Sequence, residues 1–579
     1  MCSDRGIDLS MGRGPKVVII GIDGATFSLI EPWAVDGKLP VLARLMQNGA
    51  WGNLDSTIPP MTAPAWTSFM TGKNPGKHGL FHFISPRPDS YEFIYTNAGT
   101  RKARTIWSLL SEKGKRSGVV NVPMTFPPER INGFMISGMD TPDENSEFIY
   151  PTSLRDKLKK DFGEVRLEMR HLEFMRSDDK REMVLKEMAD IEDHRKKLAI
   201  HLIKNYPVDV FMLVFCSVDQ IQHYFWHNMD TNHYRYDETG ARKYGDAILK
   251  AYQTIDNKLG EILAELPEDA VTVLMSDHGA GPSGNTVINL NNYLSSLGVL
   301  TFKGKGKGSV LGSIVKKIDP LLRKTLTPRQ KAKIANLFPG LRRHWESRLT
   351  AFETIDLSKT KAFNYEILPT YTNVFVNLKG KFPQGIVNPG AEYDELIDFI
   401  IEKLYDLEDP ETGKKVVKKI YKKEEVYFGP HSEMAPDILM SWWEDEGFTI
   451  RPGQEGQDDV FVRKLGSGFD SLVNWSGTHR RPGIFLFHGE PFKKLRLDDG
   501  VNIVDLAPTL LYLLGCPIPE DMDGKVITAA FKDDYLQGNP VRYESVSDPG
   551  SHADDKNEQY SDDEADLVAK RLRALGYIE

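Results

Sequence analysis

Residues 17–23 read VVIIGID, a run in which five of the first six residues are β-branched and the seventh is an aspartate. So continuous an apolar run reads as a strand buried on both faces, the kind a parallel sheet requires. The pattern returns in SGVVNVP (117–123), VDVFMLVFCSVD (208–219), AVTVLMSDHG (270–279) and GIFLFHG (483–489), with helical segments between. Strands separated by amphipathic helices predict an α/β fold with a doubly wound, mostly parallel central sheet flanked by helices. Ligands of such sheets gather at the carboxyl ends of the strands. That rule singles out Asp23, Asp219 and Asp277, each standing where its strand runs out.

The texture changes from 291 to 475. A basic run, FKGKGKGSVLGSIVKKIDPLLRKTLTPRQKAKIANLFPGLRRHWESR, leads into strand-and-turn alternation at YTNVFVNLKGKFPQGIVNPG and an amphipathic helix at YDELIDFIIEKLYDL. The sheet resumes at RPGIFLFHG, and the helix NIVDLAPTLLYLLG (502–515) closes the core. The organisation expected is a catalytic core over 15–290, an inserted cap or lid over 291–475, the rest of the core over 476–535, and a polar acidic tail with a short terminal helix over 536–579. The basic residues near 303–348 are expected to form a solvated helical surface; contact with an anionic substrate, lipid headgroups or RNA is the alternative.

A net charge of −9 and a pI near 5.9 argue against a nucleic-acid polymer as partner. Three scattered cysteines (Cys2, Cys216, Cys516) make neither a disulfide framework nor a metal cluster. The N-terminus has no apolar h-region, and the apolar runs fall short of the ~20 residues that span a bilayer. A soluble, cytoplasmic protein is expected, with peripheral membrane contact left open.

In SVDQIQHYFW, Asp219 and His223 are four apart, so a helix starting at the strand end puts both on one face, able to share an ion. Asp277 and His278 are adjacent in SDHG, and His479 in WSGTHRRPG is expected in a loop before a buried strand. His227 repeats the four-residue spacing but lies a turn further on, where an outer or surface position is expected. Singly these are turn aspartates and solvated histidines; together, three aspartates and three histidines are what a two-metal site needs. Nitrogen and carboxylate donors suit Zn²⁺, with Mn²⁺ or Fe as intermediates. In IPPMTAPAWTSFMTG (58–72), Pro64 is tolerated only in a first helical turn, so Thr62 lies at or just before a helix N-terminus. Thr62 is a helix cap on one reading. On the other it is a nucleophile, with helix amides and a coordinated metal favouring its alkoxide. The surrounding ligands favour the second.

The ordered set GIDG, TAPAWTSFMTGKNPGKHG, SVDQIQH, SDHG and GTH resembles the alkaline phosphatase superfamily, and most closely the prokaryotic branch of the type I phosphodiesterase/nucleotide pyrophosphatase family, from about residue 16 to 530. The resemblance implies an alkaline-phosphatase-like fold and two metals, usually zinc. One would be held by Asp219, His223 and His479, the other by Asp23, Asp277, His278 and the Thr62 hydroxyl. It also implies in-line attack by Thr62 on a small-molecule phosphate ester, a phosphothreonine intermediate, and its release by water. Two departures stand out. Ala65 occupies the place of an asparagine that donates to the phosphoryl oxygen in nucleotide pyrophosphatases, so nucleotide specificity does not carry over. TAPAW also lacks the arginine of the sulfatase motif. Lys77 and His78 match a family turn with a structural role. The leading function is therefore a metal-dependent hydrolase of phosphodiester or pyrophosphate bonds. A phosphomonoesterase, phosphonate hydrolase or phosphotransferase on the same site is the alternative, and a non-catalytic metal-binding homologue the next.

Overall fold

Val17–Ile22 (β1) is buried at every position, as a β-branched run without a water-facing side must be. In this computed structural model the residues described are 14–87, 90–91, 93–166, 180–303, 354–364, 373–441, 448–451, 453, 459–463, 475–497, 500–546 and 559–575. After β1 the chain forms Ala50–Asp55 (β2), Ser117–Val122 (β3), Gly133–Ser137 (β4), Ile149–Tyr150 (β5), Val210–Phe215 (β6) and Val271–Met275 (β7). A two-stranded ladder follows, Gly279–Pro282 (β8) against Gly477–Arg480 (β9), and the chain re-enters the sheet as Pro482–His488 (β10) and Leu495–Leu497 (β11).

The sheet has nine strands in the order β11–β2–β10–β7–β1–β6–β3–β4–β5. The block β7–β1–β6–β3–β4 is parallel. β10 runs antiparallel between β7 and β2, and β5 is an antiparallel edge. All five apolar runs are strands of this sheet, and the fold is the mixed, mostly parallel α/β architecture expected. The reversal of β10 matters for function. With Phe485 opposite Met275 and His488 opposite Thr272, the start of β10, not its end, lies at the carboxyl edge of β7.

The helices that position the site are Thr62–Thr71 (α1), Arg181–Asn205 (α2), Ser217–Met229 (α3) and Ala247–Leu263 (α4). α1 is buried at all ten positions, with Trp66, Phe69 and Trp107 in edge and tilted ring contacts at 5.9 and 6.3 Å. It lies this close to the sheet because β1 carries Gly21: a Cβ there would sit 2.6 Å from the Trp66 ring and 2.9 Å from Val214. α3 begins one residue after β6, and α4 packs against both α2 and α3.

Within 291–475, Ala362–Phe363, Asn373–Val376, Ile438–Ser441 and Lys419–Lys422 form a four-stranded sheet in that order, with Ala391–Asp406 (α5) packed against its last strand. Its buried carboxylate, Asp437, accepts from Val376 N–H and the Tyr393 hydroxyl at 2.8 Å each, with Lys423 and Lys381 at 3.3 and 3.5 Å. This unit meets the core where the Tyr427 hydroxyl donates to Ile58 O (2.5 Å) and the Tyr427 ring meets Phe81 edge-on. Thr286–Asn289 pairs with Phe448–Arg451 and Phe461–Arg463 in a smaller sheet. The basic run over 303–348 lies, except for Lys303, outside the described residues.

Leu506–Leu513 (α6) follows a 3₁₀ turn at Ile503–Asp505 inside the helix expected over 502–515. The terminal helix Asp562–Leu575 (α7) docks on the core through Val568, Ala569 and Leu572. Tyr560 stacks on Phe126 at 5.9 Å and donates its hydroxyl to Asp140 O at 2.6 Å. Among the described residues, no helix is long and apolar enough to cross a membrane.

Candidate functional site

Asp23 is the first residue past β1, and its N–H continues the ladder to Phe215 O at 2.9 Å. Asp277 and His278 follow β7 after Ser276, so the parallel register of β1 and β7 brings the three side by side. Asp219 and His223 share one face of α3, with Asp219 in its first turn. His479 is not in a loop, as its setting in the sequence suggested, but in β9, opposite Ala280 of β8. It reaches the site because β9 leads into the antiparallel β10, whose beginning lies at the carboxyl edge of the parallel strands.

Two groups result, Asp219–His223–His479 and Asp23–Asp277–His278, each with its donor atoms within 4.8 Å of one another and every residue buried. In the first, His223 Nε2 lies 3.2 Å from Asp219 Oδ2 and 3.1 Å from His479 Nε2, with His479 Nε2 3.7 Å from Asp219 Oδ1. In the second, His278 Nε2 is 3.2 Å from Asp277 Oδ2 and 3.7 Å from Asp23 Oδ1. The His278 and His479 rings stack at 3.6 Å and bridge the groups, and Trp475 stacks on His223 at 3.5 Å. Thr62 is the first residue of α1, fully buried, with Oγ1 3.4 Å from His278 Nε2. The helix cap is Met61, not Thr62.

The second nitrogen of each imidazole settles what the first presents. His223 Nδ1 is 2.9 Å from Gly477 O, His479 Nδ1 2.9 Å from Pro60 O, and His278 Nδ1 3.0 Å from Gly279 O. A carbonyl accepts only, so in each neutral ring Nδ1 carries the proton and Nε2 turns a lone pair inward. Two such lone pairs at 3.1 Å, ringed by carboxylate oxygens, repel unless a cation lies between them. Asp23 Oδ1 and Asp277 Oδ2 are buried without a hydrogen-bond partner. Unpartnered carboxylate oxygens beside inward-facing imidazole lone pairs fit divalent cations, and nitrogen with carboxylate oxygen is the donor chemistry of zinc and its neighbours.

The electrostatics agree. Burial, then the charges of Asp277 and Asp219, push the Asp23 carboxyl well above its usual range. Asp277 is raised by burial and by Asp219, against the pull of His278. Burial would raise Asp219 too, but the positive charge that His223, and then His479 and His278, bring when protonated more than offsets it and holds the carboxyl low, as a bound cation would. Burial and the neighbouring His278 keep the His479 imidazole well below its ordinary value.

The remaining sequence-selected residues lie elsewhere. His227 is buried rather than at the surface, its ring 6.1 Å from that of His233. His78 bonds Ser68 Oγ at 3.0 Å and Lys77 pairs with Asp523, both holding the turn after α1. Ala65 gives its N–H to Met61 O at 2.9 Å inside α1.

Residues the sequence did not single out support the ligand groups. Ser276 donates to Ala25 O at 3.0 Å and accepts from Ile484 N–H at 2.8 Å, tying the turn after β1 to β10. Gln222 donates to Gly24 O at 2.9 Å. Gly24 has φ +68°, and a Cβ there would lie 2.8 Å from Asp219 Oδ1 and 3.1 Å from the Asp219 Cα. Gly24→Ala is therefore expected to push Asp219 off its position and to cost about 1–3 kcal/mol from backbone strain alone. Urea unfolding of the metal-free protein measures the second effect, and diester hydrolysis the first, as a loss of at least about 10-fold.

The sequence model of type I phosphodiesterase/nucleotide pyrophosphatase matches residues 17–460, more than half of the chain, and ends before His479. No curated protein matches by sequence. Among solved structures, murine ectonucleotide pyrophosphatase/phosphodiesterase 5 is similar at 14% identity over 86% of this chain and 95% of that one, with a TM-score of 0.44. Phosphonoacetate hydrolase from Sinorhizobium meliloti 1021, in complex with phosphonoacetate, is similar at 15% identity over 86% and 97%, with a TM-score of 0.46. The family match runs through the turn that carries Asp23, the start of α1, the Asp219–His223 helix and the Asp277–His278 pair, and it makes this chain a member of the type I phosphodiesterase/nucleotide pyrophosphatase family.

Proposed function

We propose that the protein is a hydrolase of phosphodiester or pyrophosphate bonds in small molecules, acting through Thr62 beside two divalent cations, Zn²⁺ by donor chemistry. Asp219, His223 and His479 would hold one ion; Asp23, Asp277, His278 and the Thr62 hydroxyl would hold the other. The observation that carries this reading is the pair of buried acceptor groups converging on a threonine at a helix N-terminus. Bound there, the cations would lower the hydroxyl pKa and neutralise charge on the phosphoryl oxygens.

The chain's own part follows from its geometry. Thr62 Oγ, held at the first position of α1, forms a bond to phosphorus in line as the bond to the leaving alkoxide or phosphate breaks. Its proton passes to solvent. Water then attacks the phosphorus of the phosphothreonine ester, which still carries the substrate's second group; the Oγ–P bond breaks, a phosphate monoester leaves, and a proton from the water restores the hydroxyl. The Thr62 and Ala63 amides head α1, where the helix dipole favours the developing negative charge. The 291–475 region serves as the cap that selects the leaving group, on this reading. Action in the cytoplasm is part of it too, since Cys216 and Cys516 are buried free thiols, suited to a reducing compartment.

The test is hydrolysis of bis(p-nitrophenyl) phosphate beside p-nitrophenyl phosphate with added Zn²⁺ or Mn²⁺. Faster, chelator-sensitive turnover of the diester is expected. Faster turnover of the monoester would move the enzyme to a phosphomonoesterase on the same site.

A further inference from the structure

Asp23 stands on the turn after β1, whereas Asp219 and His223 ride on α3, so the spacing of the two ligand groups depends on how that turn is held against that helix. A relay of buried polar groups joins them. Thr26 N–H donates to the Tyr252 hydroxyl at 3.1 Å; that hydroxyl donates to Gln222 Oε1 at 3.1 Å; and Gln222 Nε2 donates to Gly24 O at 2.9 Å. The directions are forced. Gly24 O accepts only, which turns the amide nitrogen toward it, and the hydroxyl, already accepting from Thr26, has its proton left for the amide oxygen.

Both ends of the relay grip the same turn, Gly24 by its carbonyl and Thr26 by its amide. Its middle lies on α3, one residue before His223, and on α4. Gln222 and Tyr252 are each 1% exposed, and burial raises the Tyr252 phenol, so it stays a hydroxyl donor. The Trp33 ring packs edge-on against Tyr252 at 5.4 Å and fixes its plane. Asp219 lies close against the same turn, where a Cβ on Gly24 would come within 2.8 Å of its Oδ1.

We propose that Gln222 and Tyr252 are positioning residues that couple the two ligand groups, so that an ion bound at Asp219–His223–His479 draws the turn carrying Asp23 into place for the second. This rests on the two-metal reading of the site. Binding is then cooperative. The carboxylates Asp23, Asp219 and Asp277 repel one another until the first charge arrives, and the relay transmits the resulting movement of α3 to Asp23.

The experiment is calorimetric titration of Zn²⁺ into chelator-treated full-length protein, for the wild type, Tyr252→Phe, Gln222→Met and the double variant, alongside thermal unfolding of each metal-free form. Tyr252→Phe keeps the ring against Trp33 and removes only the hydroxyl, so it retains the fold. The wild type is expected to take two ions cooperatively. Each single variant is expected to bind the first ion with little change and the second about 10–100-fold more weakly, the range for losing an outer hydrogen bond to a metal site. The double variant should lose no more than either single one, because one relay is broken once.

Two ions bound by every variant with wild-type affinity and cooperativity would overturn the coupling and leave the metal site standing. So would a lowered metal-free unfolding midpoint with the two binding steps unchanged, which is what a merely structural role predicts. A wild type that binds fewer than two ions would overturn both the coupling and the two-metal reading.

Discussion

Thr62→Ala is expected to lower turnover of bis(p-nitrophenyl) phosphate by about 10,000-fold or more, the scale on which enzymes lose rate when a covalent nucleophile is removed. The fold should survive, and the second ion would keep Asp23, Asp277 and His278 as ligands. Met61 caps α1, so the Thr62 side chain is not what starts the helix, and alanine is the better helix former. The change removes one methyl and one hydroxyl from a fully buried position, a cost of about 1–2 kcal/mol against a large core. Thr62→Ser, which keeps the oxygen at the N-terminus of α1 3.4 Å from the His278 Nε2 position, is expected to recover part of the rate. Acid quenching of wild type with diester labelled at phosphorus should leave a p-nitrophenyl phosphoryl group on Thr62 and none on Thr62→Ala. Wild-type rates in Thr62→Ala would mean that water attacks phosphorus directly and that Thr62 only helps hold an ion.

Removing the metal is expected to abolish turnover and to destabilise the protein, by about 4 kcal/mol for each ion present at a thousandfold over its dissociation constant. The pH dependence has a definite sign. Asp23 and Asp277 have carboxyl pKa values raised by burial and by neighbouring carboxylates, so the unfolded chain ionises them first as pH rises. Through these two groups the metal-free protein loses stability upward from the unfolded value near 3.9 through the raised native values. Asp219, held low, acts the other way and only at more acid pH. Bound cations favour the ionised carboxylates and so reverse the first trend. The gap in unfolding midpoint between metal-loaded and metal-free protein should therefore widen from about pH 4 upward. A gap independent of pH would mean that the ions do not neutralise these carboxylates.

The parallel core was legible because its strands carry their burial in their composition: β1 and β6 are buried on both faces and read as apolar without interruption. β2, in which buried and half-buried residues alternate through AWGNLD, carries no such run, and β5 and β11 are only two and three residues long. The terminal helix was legible as a helix, but its docking through Tyr560 and Asp140 O depends on a partner 420 residues away.

What the sequence by itself determined is five of the nine strands, β1, β3, β6, β7 and β10, and most of the ligand candidates. Asp23 and Asp277 end their strands and Asp219 follows one, and His223 and His278 are tied to those positions by spacings of four and one, which local geometry turns directly into proximity. What only the tertiary structure decided is everything that crosses between elements. His479 precedes its strand, and a histidine there meets the others only because β10 runs against its neighbours, a direction that no local pattern encodes. Likewise the carbonyls of Pro60, Gly477 and Gly279 that set the imidazole tautomers, and the Gln222–Tyr252 relay, are contacts of backbone and amide groups. Such groups occur throughout the chain, and their chemistry becomes specific only once folding has taken the water away from them.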